Sequence, residues 1–388
     1  MNPATTSNLP AASDIEQQHE LRVKSHIIDV IQAQGGHIGF AEFMQLALYA
    51  PGLGYYSAGK NKFGEAGDFV TAPEISPLFG QCLAQQCADV LDRLGGGDLL
   101  EAGAGSGKLA CHVLAHLEQL DQLPGHYYIL EVSADLRQRQ QQHIENTLPH
   151  LHQRVHWLDC LPERFSGVII GNEVLDAMPV ERFIVSDKGV EQLCVGHEDG
   201  QFVWHRHKAS NALIDRVNAL DLTPPYISEL NLNAEAWIAS LADIMERGLI
   251  LLIDYGFPEH EYYLADRREG TLMCHYKHHA HDNPLILTGL QDITAHVDFT
   301  AIAQSAVDNG LSVSGYTSQA AFLIGCGIEQ LVNGLGAVDE KTRFQLSQQI
   351  QTLTQPSEMG ELFKVIALGK EMDLSLRGFM VQDRRDRL

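Results

Sequence analysis

The sequence predicts an α/β protein built on a doubly wound, mostly parallel sheet. Three observations carry this expectation. Short apolar runs alternate with helical patterns from Asp98 onward. A glycine-rich turn, Gly103 to Gly107, sits between the first such run and the helix after it. The run Leu249–Asp254 is almost continuously apolar, as a central strand covered on both faces requires.

The elements follow in order. Residues 1–18 are small and polar and are expected to be disordered. Residues 19–97 form a helical region. Val23, Ile27, Ile28 and Ile31 are spaced for a helix from Leu21 to Gln34, stopped by Gly35-Gly36. A second helix spans Phe40 to Ala50, and Pro51 follows it. Gly52 to Pro77 reads as a long loop. Ser76 and Pro77 are suited to cap and open a helix that runs to Leu94, before Gly95-Gly96-Gly97. The sheet domain is expected over 98–388, with strands at Asp98–Ala102, Tyr127–Glu131, Val155–Leu158, Gly167–Gly171 and Leu249–Asp254, and a further strand at Phe363–Ala367. Two insertions interrupt it. The one at about 180–235 carries short antiparallel strands, and the one at about 259–292 is loop-like and rich in His and Tyr. Helices are expected at Phe299–Asn309 and Gln319–Ile328. The glutamine-rich run Arg137–His143 reads as the solvated face of a helix.

Composition narrows the function. Apolar residues make up 45% and charged residues 20%, which is globular and excludes disorder as the main state. Fifty acidic against 27 basic residues leave a net charge of −23, which disfavours nucleic acid and anionic lipid and favours a basic protein partner. Seven cysteines without a CxxC pair point to free thiols in a reducing compartment. No stretch is long and apolar enough for membrane insertion, and Met1–Glu20 resembles neither a signal nor a transit peptide, so a cytoplasmic, bacterial setting is expected. His275, His278, His279 and His281 lack a metal-binding spacing, and no metal is expected. Trp157, Trp204 and Trp237 read as packing residues.

The turn Glu101-Ala102-Gly103-Ala104-Gly105-Ser106-Gly107-Lys108 fits three ligand classes unequally. A Walker A loop fails, because Ala102 replaces its first glycine and Leu109 its hydroxyl residue. Gly105, Gly107 and Ala110 satisfy a loose dinucleotide pattern. Glu101, however, places a carboxylate beside the turn, which pyrophosphate would oppose and a cationic ligand would favour. Glu131, Asp159 and the pair Asn172-Glu173 close the next three strands. Four polar groups in register at the carboxyl ends of strands make a ligand site.

The ExGxGxG spacing resembles the first motif of class I S-adenosylmethionine-dependent methyltransferases. Further segments resemble one branch of them: Gly67-Asp68-Phe69-Val70-Thr71-Ala72-Pro73-Glu74-Ile75-Ser76-Pro77-Leu78-Phe79-Gly80, Leu130-Glu131-Val132-Ser133, Gly171-Asn172-Glu173-Val174-Leu175-Asp176-Ala177-Met178-Pro179-Val180, Asp254-Tyr255-Gly256 and Gln291–Phe299. In this order, from about Leu21 to Ile366, they are similar to the MidA-type methyltransferases. That family includes the mitochondrial complex I assembly factor that methylates a subunit arginine.

The resemblance implies a Rossmann-like class I sheet, S-adenosylmethionine as cofactor with S-adenosylhomocysteine as product, and a protein substrate of complex I-subunit type. It places Thr71, Glu74, Glu101, Gly103, Gly105, Gly107, Glu131, Asp159 and Asn172 at the cofactor. Glu173 and Asp176 are the candidates to orient a guanidinium and accept its proton, with Asp254 a third. A SAM-binding assembly factor without catalysis and an NAD-dependent oxidoreductase are the rival readings. A homodimer is compatible with the insertion after Val180.

Overall fold

The computed structural model describes residues 9–58, 71–336 and 339–388. They form two compact units. One draws on Met1–Phe69, Asp176–Ala234 and Glu259–His296; the other on Val70–Leu175, Glu235–Pro258 and Val297–Leu388.

The second unit holds the principal sheet. Its strands are β1 (Asp98–Ala102), β2 (Tyr127–Leu130), β3 (Val155–Leu158), β4 (Phe165–Asn172), β5 (Met245–Phe257), β6 (Ser312–Ser318) and β7 (Phe363–Lys370), with the two-residue strand Val297–Asp298 paired parallel to the end of β5. They lie in the order β3-β2-β1-β4-β5-β7-β6, and β7 runs antiparallel to both its neighbours. The chain therefore builds outward from β1 through β2 and β3, then returns to add β4 on the other side. This reversal puts the switch point between β1 and β4, where open α/β sheets bind ligands.

Both faces of the sheet are covered. Leu99, Val168, Ile170, Leu249, Leu251 and Ile253 join a core with residues of helices α1 (Pro77–Leu94) and α2 (Lys108–Gln119). The alternate residues Leu100, Ile169, Ile250 and Leu252 are buried as well. Such two-sided burial explains why these strands read as apolar runs without alternation. Helix α1 starts as its sequence requires. Ser76 Oγ accepts from the Leu78 amide at 3.3 Å, Pro77 occupies the first turn, and Gly95 ends the helix at φ +74°. Helix α3 (Ala134–Thr147) connects β2 to β3 and is capped by Ser133.

Several elements differ from the sequence expectation. Helix Asp14–Ala33 starts well before Leu21, because Ser13 and Glu16 form a reciprocal capping box that substitutes for apolar pattern in the first turn. Disorder to residue 18 is thus corrected for the described part of that segment. The run Gln319–Ile328 breaks into Gln319–Gly325 and Ile328–Gly334, with Gly327 at φ +86° between them. A polar helix, Glu340–Thr354, and strand β6 add to the expected set.

The first unit contains an antiparallel sheet made of His37–Gly39, Glu181–Ser186, Gly189–Glu198, Gln201–Lys208 and Tyr226–Leu230. Helices Asp14–Ala33 and Phe40–Tyr49 contribute Val23, Ile27, Phe40, Phe43 and Leu48 to a core shared with Val195 and Phe202. The His-rich stretch is partly a hairpin, with Cys274 paired to His281 and Tyr276 to His279. No group of three His, Cys, Asp or Glu side chains among the described residues is arranged to hold a metal. Among the same residues no helix is long and apolar enough to cross a membrane.

Candidate active site

The glycine turn follows β1 directly. Gly103, Gly105 and Gly107 have φ values of +66°, +52° and +82°, in the left-handed region that costs other residues energy. The Gly103 amide donates to Leu130 O at 3.1 Å, tying the turn to the end of β2. A Cβ on Gly103 would lie 3.2 Å from Val174 Cγ2, and one on Gly107 would lie 3.4 Å from Gln140. A side chain at Gly103 would thus press on Val174, while Gly103 itself is exposed and Gly105 and Ser106 are half-buried.

Glu101 is 2% exposed. It shares the sheet face of Leu99 and Tyr127, and the Tyr127 phenol donates to its Oε2 at 2.7 Å. Burial raises its pKa to about 7; the Tyr127 hydrogen bond opposes the rise and the charge of Glu131 adds to it. Glu131, one residue past β2, is also buried. Its Oε1 accepts from the Ser133 amide and its Oε2 from Gln140 Nε2, both at 2.9 Å. Burial raises its pKa, and these donors work against the rise. Each carboxylate oxygen has two lone pairs, so these donors leave acceptor capacity on the carboxylate.

Asp159 occupies the matching place one residue past β3, yet its side chain is 88% exposed and paired with Arg137 at 2.7 Å. Asn172 ends β4 and donates from Nδ2 to Glu173 Oε1 at 3.0 Å. Its Oδ1 is buried without a donor among the described residues. Glu173 has φ +53°, unusual for a long side chain, and its amide donates to Ile253 O at 2.8 Å. Asp254 secures the same turn. It is 1% exposed, and its Oδ2 accepts from the amides of Val174 and Leu175 at 3.1 and 2.9 Å. Its Oδ1 takes the Tyr255 amide. Asp254 thus braces the backbone of this turn.

Of the earlier loop, Gly67 to Val70 lie outside the described residues. Thr71 is the N-cap position of the short helix Ala72–Ile75. Glu74 accepts from Ser106 Oγ and from Lys108 Nζ, so it grips the glycine turn and the start of α2. Asp176 belongs to the first unit. It is buried there; burial first, and then the charges of Asp292 and, less, of Asp176, raise the pKa of Tyr56, whose phenol donates to Asp292 at 2.9 Å.

The second unit therefore gathers Glu74, Glu101, the three glycines, Glu131, Asn172 and Glu173 around the carboxyl ends of β1, β2 and β4, with Asp159 on the outer rim. Sequence reading missed Tyr127, Ser106, Lys108 and, above all, Gln140. The reading of Arg137–His143 as a solvated face is corrected at Gln140, which is fully buried. Leu136, Gln140 and Ile144 share the helix's buried face at i, i+4 spacing, and that register was the available signal.

The residues fit S-adenosylmethionine. Glu131 offers spare acceptor capacity for ribose hydroxyls, Asn172 offers an orphan acceptor, and the glycine turn admits close backbone approach without a cation for pyrophosphate, since Lys108 is held by Glu74. A family model described as "Putative S-adenosyl-L-methionine-dependent methyltransferase" matches residues 82–317. The mitochondrial protein arginine methyltransferase NDUFAF7 homolog of Drosophila melanogaster is 27% identical, covering 92% of this chain and 87% of its own length. Human mitochondrial NDUFAF7, named a protein arginine methyltransferase, is 27% identical over 86% of this chain and 80% of its own. A crystal structure from Burkholderia thailandensis with S-adenosyl-homocysteine bound is 41% identical, with a TM-score of 0.94 over 98% of this chain and all of that one.

Proposed function

The chain belongs to this S-adenosyl-L-methionine-dependent methyltransferase family, and from that premise we propose that it methylates an arginine of a protein, a complex I-type subunit being the first candidate. The observation that carries the reading is Glu173, a carboxylate held at φ +53° on the turn that closes β4 at the switch point. Backbone strain of this kind is kept where a side chain must be aimed. The names of the mitochondrial relatives support arginine and a protein substrate.

When bound, the cofactor supplies an electrophilic methyl group on a sulfonium sulfur. The chain's own residues align the acceptor and take its proton. In-line transfer depends mostly on alignment. A guanidinium has a pKa above ~12 and needs its lone pair localised before it attacks. Glu173 orients it through charge-assisted hydrogen bonds and receives the proton, while Asn172 Nδ2 fixes the carboxylate's rotamer. Asp176 is the second candidate for this role.

At the cofactor, Glu131 accepts the ribose hydroxyls and Asn172 Oδ1 takes a donor of the amino-acid end. Glu101, buried against Tyr127 at the end of β1, favours a cationic ligand through its charge, which it carries increasingly as the pH rises through about 7. Glu74 braces the turn through Ser106 and Lys108, Thr71 places the short helix that carries Glu74, and Asp159 bounds the adenine side.

The test is methyl transfer from labelled S-adenosylmethionine to the complex I subunits of the source cell, read by mass spectrometry. Wild type should add methyl to an arginine. Glu173→Gln should lower the rate about a thousandfold while leaving affinity for S-adenosyl-homocysteine within a few-fold of wild type. Methyl groups on a residue other than arginine, or full activity in Glu173→Gln, would overturn the reading.

A further inference from the structure

Gln140 lies at the centre of α3, fully buried, and each of its polar groups is used. Its Nε2 donates to Glu131 Oε2 at 2.9 Å and to Gly105 O at 3.0 Å. Its Oε1 accepts from Trp157 Nε1 at 2.9 Å. One carboxamide therefore joins the glycine turn after β1, the acid after β2 and the indole within β3. The orientation of the amide follows from chemistry. An indole N–H only donates, and a carbonyl only accepts. The amide oxygen must face Trp157, and its NH₂ must face Gly105 and Glu131.

We infer that Gln140 is a positioning residue for the cofactor: with Trp157 fixing its orientation, it holds the Glu131 carboxylate at a set distance from the glycine turn, so that the ribose and the methionine portion are gripped in one geometry. The inference rests on the reading of Glu131 as the ribose acceptor. A neutral amide suits the task better than a cation. It satisfies one lone pair of a buried carboxylate and leaves the charge available to the ligand.

A buried isostere that adds a carboxyl would perturb any core site, so what separates a donor to Glu131 from a packing residue is whether the effect depends on Glu131. Gln140→Glu keeps shape and the acceptor for Trp157 but sets a second carboxyl beside Glu131. Two such groups cannot both ionise at contact distance, so one holds its proton to higher pH. A protonated carboxyl can donate again, and the defect should fade as the pH falls.

The experiment is calorimetric titration of S-adenosyl-homocysteine into wild type, Gln140→Glu, Glu131→Gln and the double variant at pH 6 and pH 8, with apo melting temperatures alongside. Gln140→Glu should bind about tenfold more weakly than wild type at pH 8 and recover most of the loss at pH 6. In the Glu131→Gln background the same change should cost little, because the carboxylate it serves is gone. Trp157→Phe provides a second variant. It keeps an aromatic ring but removes the donor to Gln140 Oε1, leaving that buried oxygen unpaired and the amide less firmly held, and it should weaken binding several-fold. Wild-type affinity in both Gln140→Glu and Trp157→Phe, with Glu131→Gln weakened, would overturn the positioning role and leave the ribose reading standing. Wild-type affinity in Glu131→Gln would overturn both. A pH-independent loss in Gln140→Glu that follows its melting temperature would reduce Gln140 to a packing residue.

Discussion

Glu131 and Asp159 stand at equivalent places, each one residue beyond a parallel strand of the same sheet. Glu131 is buried and braced by a backbone amide and a neutral carboxamide. Asp159 is exposed and paired with Arg137. Helix α3 supplies both partners, Gln140 from its buried face and Arg137 toward the rim. The difference separates two uses of a carboxylate. A buried one with neutral donors keeps its charge for a ligand, and an exposed one spends it on a screened ion pair. Glu101 is a third case, buried behind the turn with one phenol donor and a strongly raised pKa.

The contrast can be broken or sharpened by substitution. Glu131→Ala should have the largest effect, weakening S-adenosyl-homocysteine about a hundredfold in calorimetry, since two charge-assisted hydrogen bonds are lost. A loss below about threefold would remove the distinction between the two acids.

Glu101 should show in the pH dependence of stability. Its pKa is about 7 in the folded chain, against 4.5 as an ordinary carboxyl. The folded state thus holds the proton to higher pH than the unfolded state does. Unfolding free energy should fall as pH rises from about 4.5 through 7, by an amount on the order of 3 kcal/mol. Glu101→Gln lacks that proton linkage, so its stability relative to wild type should rise steadily across the window in denaturant unfolding. Parallel curves for the two proteins would contradict the assignment. Asp159→Asn should have the smallest effect, under about 1 kcal/mol in stability and at most a few-fold in cofactor affinity.

Much of this was legible in the residues. The cap at Ser76-Pro77, the positive-φ glycines and the strand-end acids are local signals, and each appears where its chemistry requires. What was not legible depends on tertiary context. Gln140 reads as a solvated residue inside a glutamine run, and only its helical register with Leu136 and Ile144 sets it apart. Strand β6 (Ser312–Ser318) is rich in Ser and carries a register shift between Val313 and Gly315, so its alternation is masked. Helix Glu340–Thr354 fully buries only Leu353; its stripe of Leu346, Ile350 and Leu353 is narrow and set among glutamines and threonines, which masks the helical period. Asp254 had the right place for a catalytic acid, but sequence could not show that three amides occupy it. The two acids of the opening comparison are alike in position and type, and only the packing of α3 separates them.

The most direct test is a crystal structure of the chain with S-adenosyl-homocysteine. Both ribose hydroxyls should lie within hydrogen-bond distance of Glu131, with Gln140 still bridging Glu131, Gly105 and Trp157. Ribose hydroxyls directed away from Glu131, or seated on Asp159 instead, would contradict the account.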